Sequence, residues 1–175
     1  MRPLAPDRRA LELGGHAAYG WCAAHSHPFW GFRLFLACSP DGMPRGFCLA
    51  PANEPECEVA AALLERTLTG DETVVGDEGL AGEEFEQIVA ALGARLVRPD
   101  RRDKQPLFGS LGDCRQWIES IIDTLKGQFS LERHGGRTLA GVWVRVCQRL
   151  LAPAAGVSHN WQLNHPGRGF TAYDH

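Results

Sequence analysis

A carboxylate lies between two cations in the stretch RQWIESIIDTLK, residues 115–126. Its apolar residues recur at three- and four-residue spacing, which predicts an amphipathic helix. At about 100° per residue, Arg115 and Lys126 lie on nearly the same side of that helix, about 16 Å apart, and Glu119 lies about 40° away. This arrangement could place a metal-binding acid between two groups that bind phosphate.

A second acid, Asp77, follows the short apolar segment ETVV, which predicts a strand. The carboxyl ends of strands carry the working residues in α/β sheets. If the helix with Glu119 packs beside this strand, a divalent cation would offset the repulsion between the two carboxylates. Mg²⁺ commonly takes one or two carboxylates together with waters and a substrate phosphate. The simpler alternative is a set of weak ion pairs on the surface of the helix, and the spacing leaves both open.

The elements that would position these acids alternate between strands and helices. An Asp41-Gly42 tight turn should join the first two strands, which gives Asp41 a structural role. Strands are predicted over 29–38, 45–50, within 72–79 and over 94–97, and helices over 54–68, 82–93, 115–126 and from Leu139 onward. Pro153 should end or kink the last helix. This order predicts an α/β fold with a mixed sheet flanked by helices.

The length of 175 residues predicts one domain with a core large enough to fold without disulfides. The six cysteines show no paired spacing, which favours buried thiols in a reducing compartment, and the WCAAHSH segment is better explained by a turn than by a metal site. No apolar run is long enough to cross a membrane and no leader opens the chain, so a cytoplasmic location is expected.

The charge is divided unevenly along the chain. Residues 54–86 contain eleven acids and one base, a local charge of −10, whereas residues 95–149 contain eleven bases and six acids, a local charge of +5. The pI of about 6.1 argues against a protein that coats DNA nonspecifically. A basic face in the C-terminal half could still bind phosphates.

The chain resembles the catalytic part of bacterial insertion-sequence transposases of the DDE type, which have an RNase H-like fold. The resemblance spans about residues 14–161 and rests on segments that include HAAYGWCAAHSHPFWGFRLFL, PDGMPRGFCLAPANEPE, GDEGLAGEEFE and RQWIESIIDTLKGQFSLERHGGRTLAGVW. It implies that Asp77 and Glu119 are catalytic residues and ligands of Mg²⁺, for which Mn²⁺ can substitute. It also implies that DNA is bound by four basic residues: Arg115, Lys126, Arg133 and Arg137.

The chain departs from the family pattern at several positions. The tyrosine of the family's Tyr-Arg-Glu-Lys signature is replaced by Gly112, and the aromatic residue that follows the second acid is replaced by Leu80. The family's first catalytic Asp lies on a first strand upstream of the AYG segment, and Asp7 is a poor substitute because its neighbours form no apolar strand. We therefore expect a mixed sheet without its central first strand, and an exposed sheet edge that favours association.

These features predict a truncated transposase fragment whose cleavage and transfer of DNA strands at insertion-sequence ends is impaired. The alternative is a noncatalytic DNA-binding or dimerising fragment that interferes with intact transposase. Its partners would be insertion-sequence ends, target DNA and a second copy of the chain. We expect a loose arm over residues 1–15, a partial RNase H-like catalytic domain over 16–152, and a flexible tail over 153–175.

Overall fold

The computed structural model describes residues 13–22, 26–77, 79–98 and 112–167, apart from the side chains of 112–115. The strands are β1 (Ala18–Cys22), β2 (His27–Cys38), β3 (Pro44–Pro51), β4 (Thr73–Val75) and β5 (Arg95–Val97). The helices are α1 (Glu56–Thr67), α2 (Glu83–Ala91), α3 (Gly112–Gly127) and α4 (Leu139–Gln162), with a short 3₁₀ turn at Leu131–Arg133 between the last two. The prediction of an α/β fold is confirmed.

The described strands form two sheets. Strands β1, β2 and β3 make an antiparallel sheet with β2 in the middle, and β4 and β5 make a parallel pair. The tight turn between β2 and β3 forms as predicted, with the Gly42 amide donating to the Ser39 carbonyl at 2.9 Å and the Asp41 carboxylate accepting from the Ser39 hydroxyl. No strand in the described ranges joins the antiparallel sheet to the parallel pair.

One hydrophobic core lies between the antiparallel sheet and helices α3 and α4. Alternate residues of β2 face this core, because successive side chains of a strand point to opposite faces. The buried members are Leu13, Ile121, Leu125, Leu131, Val142, Val146 and Leu150. Helix α4 also contacts β3 through Phe47 and Trp143, whose ring centroids lie 5.1 Å apart. This core fixes the face of α3 that carries Ile121 and Leu125, and leaves Glu119 on the surface.

A second core joins α1, α2 and the parallel pair. Its buried members are Ala60, Leu64, Phe85, Val89 and Ala94, and Val89 is fully buried. Phe35 of β2 contributes to this core from the other side of the antiparallel sheet. The strand that leads to Asp77 is therefore held by α1 and α2, whereas the helix that carries Glu119 is held by the first core.

Two features differ from the elements predicted. Residues 18–22 form β1, a strand that was not predicted, and it pairs antiparallel with β2. Gly20 permits this strand, since a Cβ there would lie 2.6 Å from the Ala52 carbonyl oxygen. Pro153 was predicted to end or kink α4, and the helix does not end there: it continues to Gln162, and Val157 and Asn160 beyond the proline are buried. Their burial stabilises a helix that proline would otherwise interrupt.

The structure describes only part of the segments at the two ends of the predicted catalytic domain. Residues 1–12, which include Asp7, lie outside the described residues, whereas Leu13 is buried in the first core. At the other end, the Asn160 side chain donates to the carbonyls of Pro166 and Gly167 at 3.2 and 3.1 Å. The segment predicted as a tail therefore begins inside α4. No helix in the described part of the chain is long and apolar enough to cross a membrane.

Candidate active site

Asp77 lies in a turn directly after β4, as predicted. The Gly76 amide donates to the Val97 carbonyl at 3.0 Å, which continues the pairing of β4 with β5 one residue past the strand. The Asp77 carbonyl accepts from the Leu80 amide at 3.0 Å, and this bond closes the turn. Because parallel strands end at the same edge, the exposed Asp77 and the start of the segment after β5 share that edge.

The start of β4 is held by a second turn that contains a carboxylate. Glu72 accepts from the Thr69 hydroxyl at 2.6 Å and from the amides of Thr69 and Gly70 at 2.8 and 2.7 Å. These hydrogen bonds, led by the one from the Thr69 hydroxyl, lower the pKa of Glu72 from its ordinary value of 4.5. Both ends of this three-residue strand are therefore fixed by local hydrogen bonds.

Glu119 lies on the exposed side of α3, as the sequence predicts. The adjacent side chains of this helix divide between core and solvent: Ile121 and Leu125 are buried, whereas Asp123 and Lys126 are exposed. The backbone of Arg115 is helical, but its side chain lies outside the described residues. Asp77 and Glu119 thus belong to elements that are anchored in different cores. That both bind one metal ion is a proposal.

Lys126 has a partner that spacing on α3 did not suggest. Its ammonium lies 2.9 Å from the Glu132 carboxylate, which belongs to the 3₁₀ turn after the helix. The side chains are 48% and 67% exposed, so this ion pair is a weak surface contact. Lys126 remains accessible to an anion that competes with Glu132.

Arg133 and Arg137 are both exposed in the connection between α3 and α4. Between them, the half-buried His134 accepts at Nδ1 from the Gly136 amide at 3.0 Å. Burial, and secondly the positive charge of Arg149, lower the pKa of His134 from its ordinary value of 6.5. Because the pKa of His134 is lowered, the positive charges that this connection offers to a phosphate are those of Arg133 and Arg137.

The two candidate metal ligands suit a hard divalent cation, but they are few. Asp77 and Glu119 offer carboxylate oxygens, which Mg²⁺ prefers. No group of three or more His, Cys, Asp or Glu side chains in the described ranges is placed to hold a metal ion. Protein ligands from the described residues would therefore leave most coordination positions to water and to substrate oxygens.

Sequence reasoning missed an ion pair that lies near the Asp77 turn. Arg33 of β2 donates to the Glu56 carboxylate at 2.8 Å, and Glu56 lies in the first turn of α1. An acid at the position of Glu56 is favoured by the helix dipole whether or not it has a partner. Its partner is 23 residues away in sequence, and no short-range spacing relates the two.

Comparison with known proteins identifies the family. A family model described as a transposase DDE domain matches residues 4–152, which is more than half of the chain. No curated protein and no solved structure matches the chain. The mixed α/β architecture agrees with an RNase H-like transposase domain, and transposases of this family act on DNA and generally use divalent metal ions. The chain therefore belongs to the insertion-sequence transposases with a DDE domain.

Proposed function

We propose that this chain takes part in metal-dependent cleavage and transfer of DNA strands at insertion-sequence ends, with Asp77 and Glu119 holding one divalent ion. The observation that supports this proposal is the position of the two acids. Asp77 is exposed directly after β4, and Glu119 is exposed on α3 seven residues before Lys126. These are the positions at which the family signature carries its second and third acids.

The candidate site residues have distinct roles in this proposal. Asp77 and Glu119 would bind Mg²⁺ or Mn²⁺ through carboxylate oxygens. The bound ion supplies Lewis-acid stabilisation of the charge that develops at the phosphodiester. Lys126 and Arg115 hold the DNA backbone on either side of the cleaved bond, and such phosphate contacts fix the register of the duplex without reading its sequence.

Two protein carboxylates are few for this chemistry, and we propose that the chain alone has low activity. No third acid among the described residues joins two others in a group that could hold a metal ion. Weak binding of the ion follows, since fewer carboxylates give less electrostatic attraction. The chain should cleave DNA more readily with Mn²⁺ than with Mg²⁺, because Mg²⁺ demands a nearly ideal octahedral geometry.

A nicking assay on DNA with insertion-sequence terminal repeats tests this proposal. Glu119→Gln and Asp77→Asn should each abolish metal-dependent nicking while the protein still melts cooperatively. Asp123→Asn is the matched control, since Asp123 is exposed on the same helix one turn later. Nicking that survives Glu119→Gln, or that Asp123→Asn abolishes equally, would reject the catalytic assignment.

The second candidate is a noncatalytic fragment that binds DNA or dimerises, and so interferes with intact transposase. Exposed Arg133 and Arg137 favour DNA binding, because two exposed positive charges four residues apart can contact backbone phosphates. Association with a second copy would use a free sheet edge. Salt-sensitive binding without nicking would favour this candidate, and sedimentation would separate a dimer from a monomer. Either role is proposed for the cytoplasm, where the DNA substrate is found in a bacterium.

A further inference from the structure

A continuous series of contacts runs from β1 to the turn that carries Asp77. The Arg33 guanidinium donates from Nη1 to Glu56 Oε1 at 2.8 Å and from Nη2 to the Trp21 carbonyl at 3.2 Å. Arg33 is therefore fixed between the edge strand β1 and the first turn of α1. Because two donors of one planar group are engaged, the guanidinium is fixed, and its bond to Oε1 restricts where the Glu56 carboxylate can lie.

The other oxygen of Glu56 lies against the Asp77 turn. A Cβ at Gly79 would be 2.7 Å from Glu56 Oε2, so the carboxylate occupies the space that any larger residue would need. The next residue of α1 contacts the same segment, with Cys57 Sγ 3.8 Å from the Gly79 carbonyl and 3.9 Å from that of Ala81. Glu56 and Cys57 together form a support beneath Gly79.

The turn is bound to the sheet on its opposite side. The Gly76 amide donates to Val97, and the Leu80 amide donates to the Asp77 carbonyl. The Leu80 side chain lies over Gly76 and packs against the second core. Asp77 is thus located between Gly76, whose amide is bonded to β5, and Gly79, which lies against α1.

We propose that Glu56, oriented by Arg33, is a positioning residue that places the Asp77 carboxylate at the common edge of β4 and β5. This inference deepens the proposed function and rests on it, because positioning matters for the reaction only if Asp77 holds the ion. The contact itself has consequences that can be measured without metal or DNA.

Amide hydrogen exchange, followed by NMR on the full chain, tests the contact. Glu56→Gln and Arg33→Gln should each speed exchange of the Leu80 amide by about fivefold, the order expected from loss of a partly exposed ion pair. Glu58→Gln is the matched control, since Glu58 is an exposed acid of the same helical turn. The Val142 amide, bonded to Thr138 in the other core, should not change. An unchanged Leu80 rate in both variants would overturn the proposal.

A double-mutant cycle provides a second test that does not need a protected amide. Gly79→Ala should destabilise the chain slightly in the presence of Glu56, because the new methyl group must displace Oε2 at the end of a flexible side chain and so weaken the pair with Arg33. The same substitution in a Glu56→Ala background should have a smaller effect, since the opposing oxygen is gone. Equal effects in the two backgrounds would reject the close contact.

Titration with Mn²⁺ separates this inference from the proposed function. Glu56→Gln should weaken Mn²⁺ binding by about fivefold while Glu58→Gln leaves it unchanged, and Glu56→Asp should recover part of the affinity. Binding that Glu56→Gln does not weaken would overturn the positioning role. If the wild-type chain binds no Mn²⁺, the proposed function fails, whereas the exchange rates and the mutant cycle still decide whether Glu56 supports the turn.

Discussion

The Lys126 ammonium lies 2.9 Å from the Glu132 carboxylate, across the end of α3. Both side chains are largely exposed, so solvent screens their attraction. A DNA phosphate that binds Lys126 must replace Glu132 as its partner. In the proposed function, Glu132 would therefore compete with DNA for Lys126.

Removal of this competitor should strengthen DNA binding. We expect Glu132→Gln to raise DNA affinity by about threefold, the middle of the range for an exposed ion pair, and Lys126→Gln to lower that affinity and reduce its salt dependence by about one counterion. Fluorescence anisotropy at several salt concentrations measures both effects. Glu58→Gln controls for net charge, and equal gains from Glu58→Gln and Glu132→Gln would show that the pair has no specific role.

His134 should make stability depend on pH near neutrality. Its pKa is lowered from 6.5 by burial and by Arg149, so the unfolded chain binds the proton more tightly than the folded chain. The stabilising contribution is complete above pH 6.5 and is lost as the pH falls through the lowered value. Urea unfolding should show this loss, and His134→Gln should remove it. Arg149→Gln should raise the pKa of His134 in an NMR titration, and no rise would contradict the assigned charge effect.

Glu72 should make stability depend on pH in a more acidic range than His134 does. Hydrogen bonds led by the Thr69 hydroxyl lower its pKa from 4.5, so its contribution is present above that pH and is lost as the pH falls through the lowered value. Thr69→Val keeps the shape of the side chain and removes the leading donor. We expect it to move the pKa of Glu72 upward in a carboxyl-detected NMR titration, and an unmoved pKa would contradict the role of this hydroxyl.

Asn160 should stabilise the end of α4. Its side chain is 1% exposed and donates to two carbonyls of the following turn. Asn160→Ala should cost about 1–3 kcal/mol in the free energy of unfolding, because it removes a buried side chain together with its two hydrogen bonds. Chemical denaturation measures the loss. Gln162→Ala, an exposed change on the same helix, should have almost no effect, and equal losses would indicate a general effect of helix propensity.

Hydrophobic periodicity predicted most of the elements that carry the candidate site. The stripe over 115–126 gave α3, and the short apolar run before Asp77 gave β4, because both patterns are local. The Asp41-Gly42 pair gave the hairpin turn for the same reason. Local rules are sufficient where the residues that decide the structure are neighbours in sequence.

The features that the sequence did not reveal depend on distant partners. Strand β1 is possible because Gly20 lies against Ala52, and α4 continues past Pro153 because Val157 is buried in the fold. The ion pair of Arg33 with Glu56 likewise needs β2 and α1 to be packed before the charges meet. In each case tertiary packing outweighs or supplements the local preference.

The most direct test of the account is whether Asp77 and Glu119 share one divalent ion. Mn²⁺ added to the ¹⁵N-labelled chain broadens the amide signals of residues near its site. We expect one saturable site that broadens residues around both Asp77 and Glu119, and we expect Asp77→Asn to remove the broadening at Glu119 as well as at position 77. Broadening confined to one acid, or persistence at Glu119 after Asp77→Asn, would contradict a shared ion and with it the catalytic proposal.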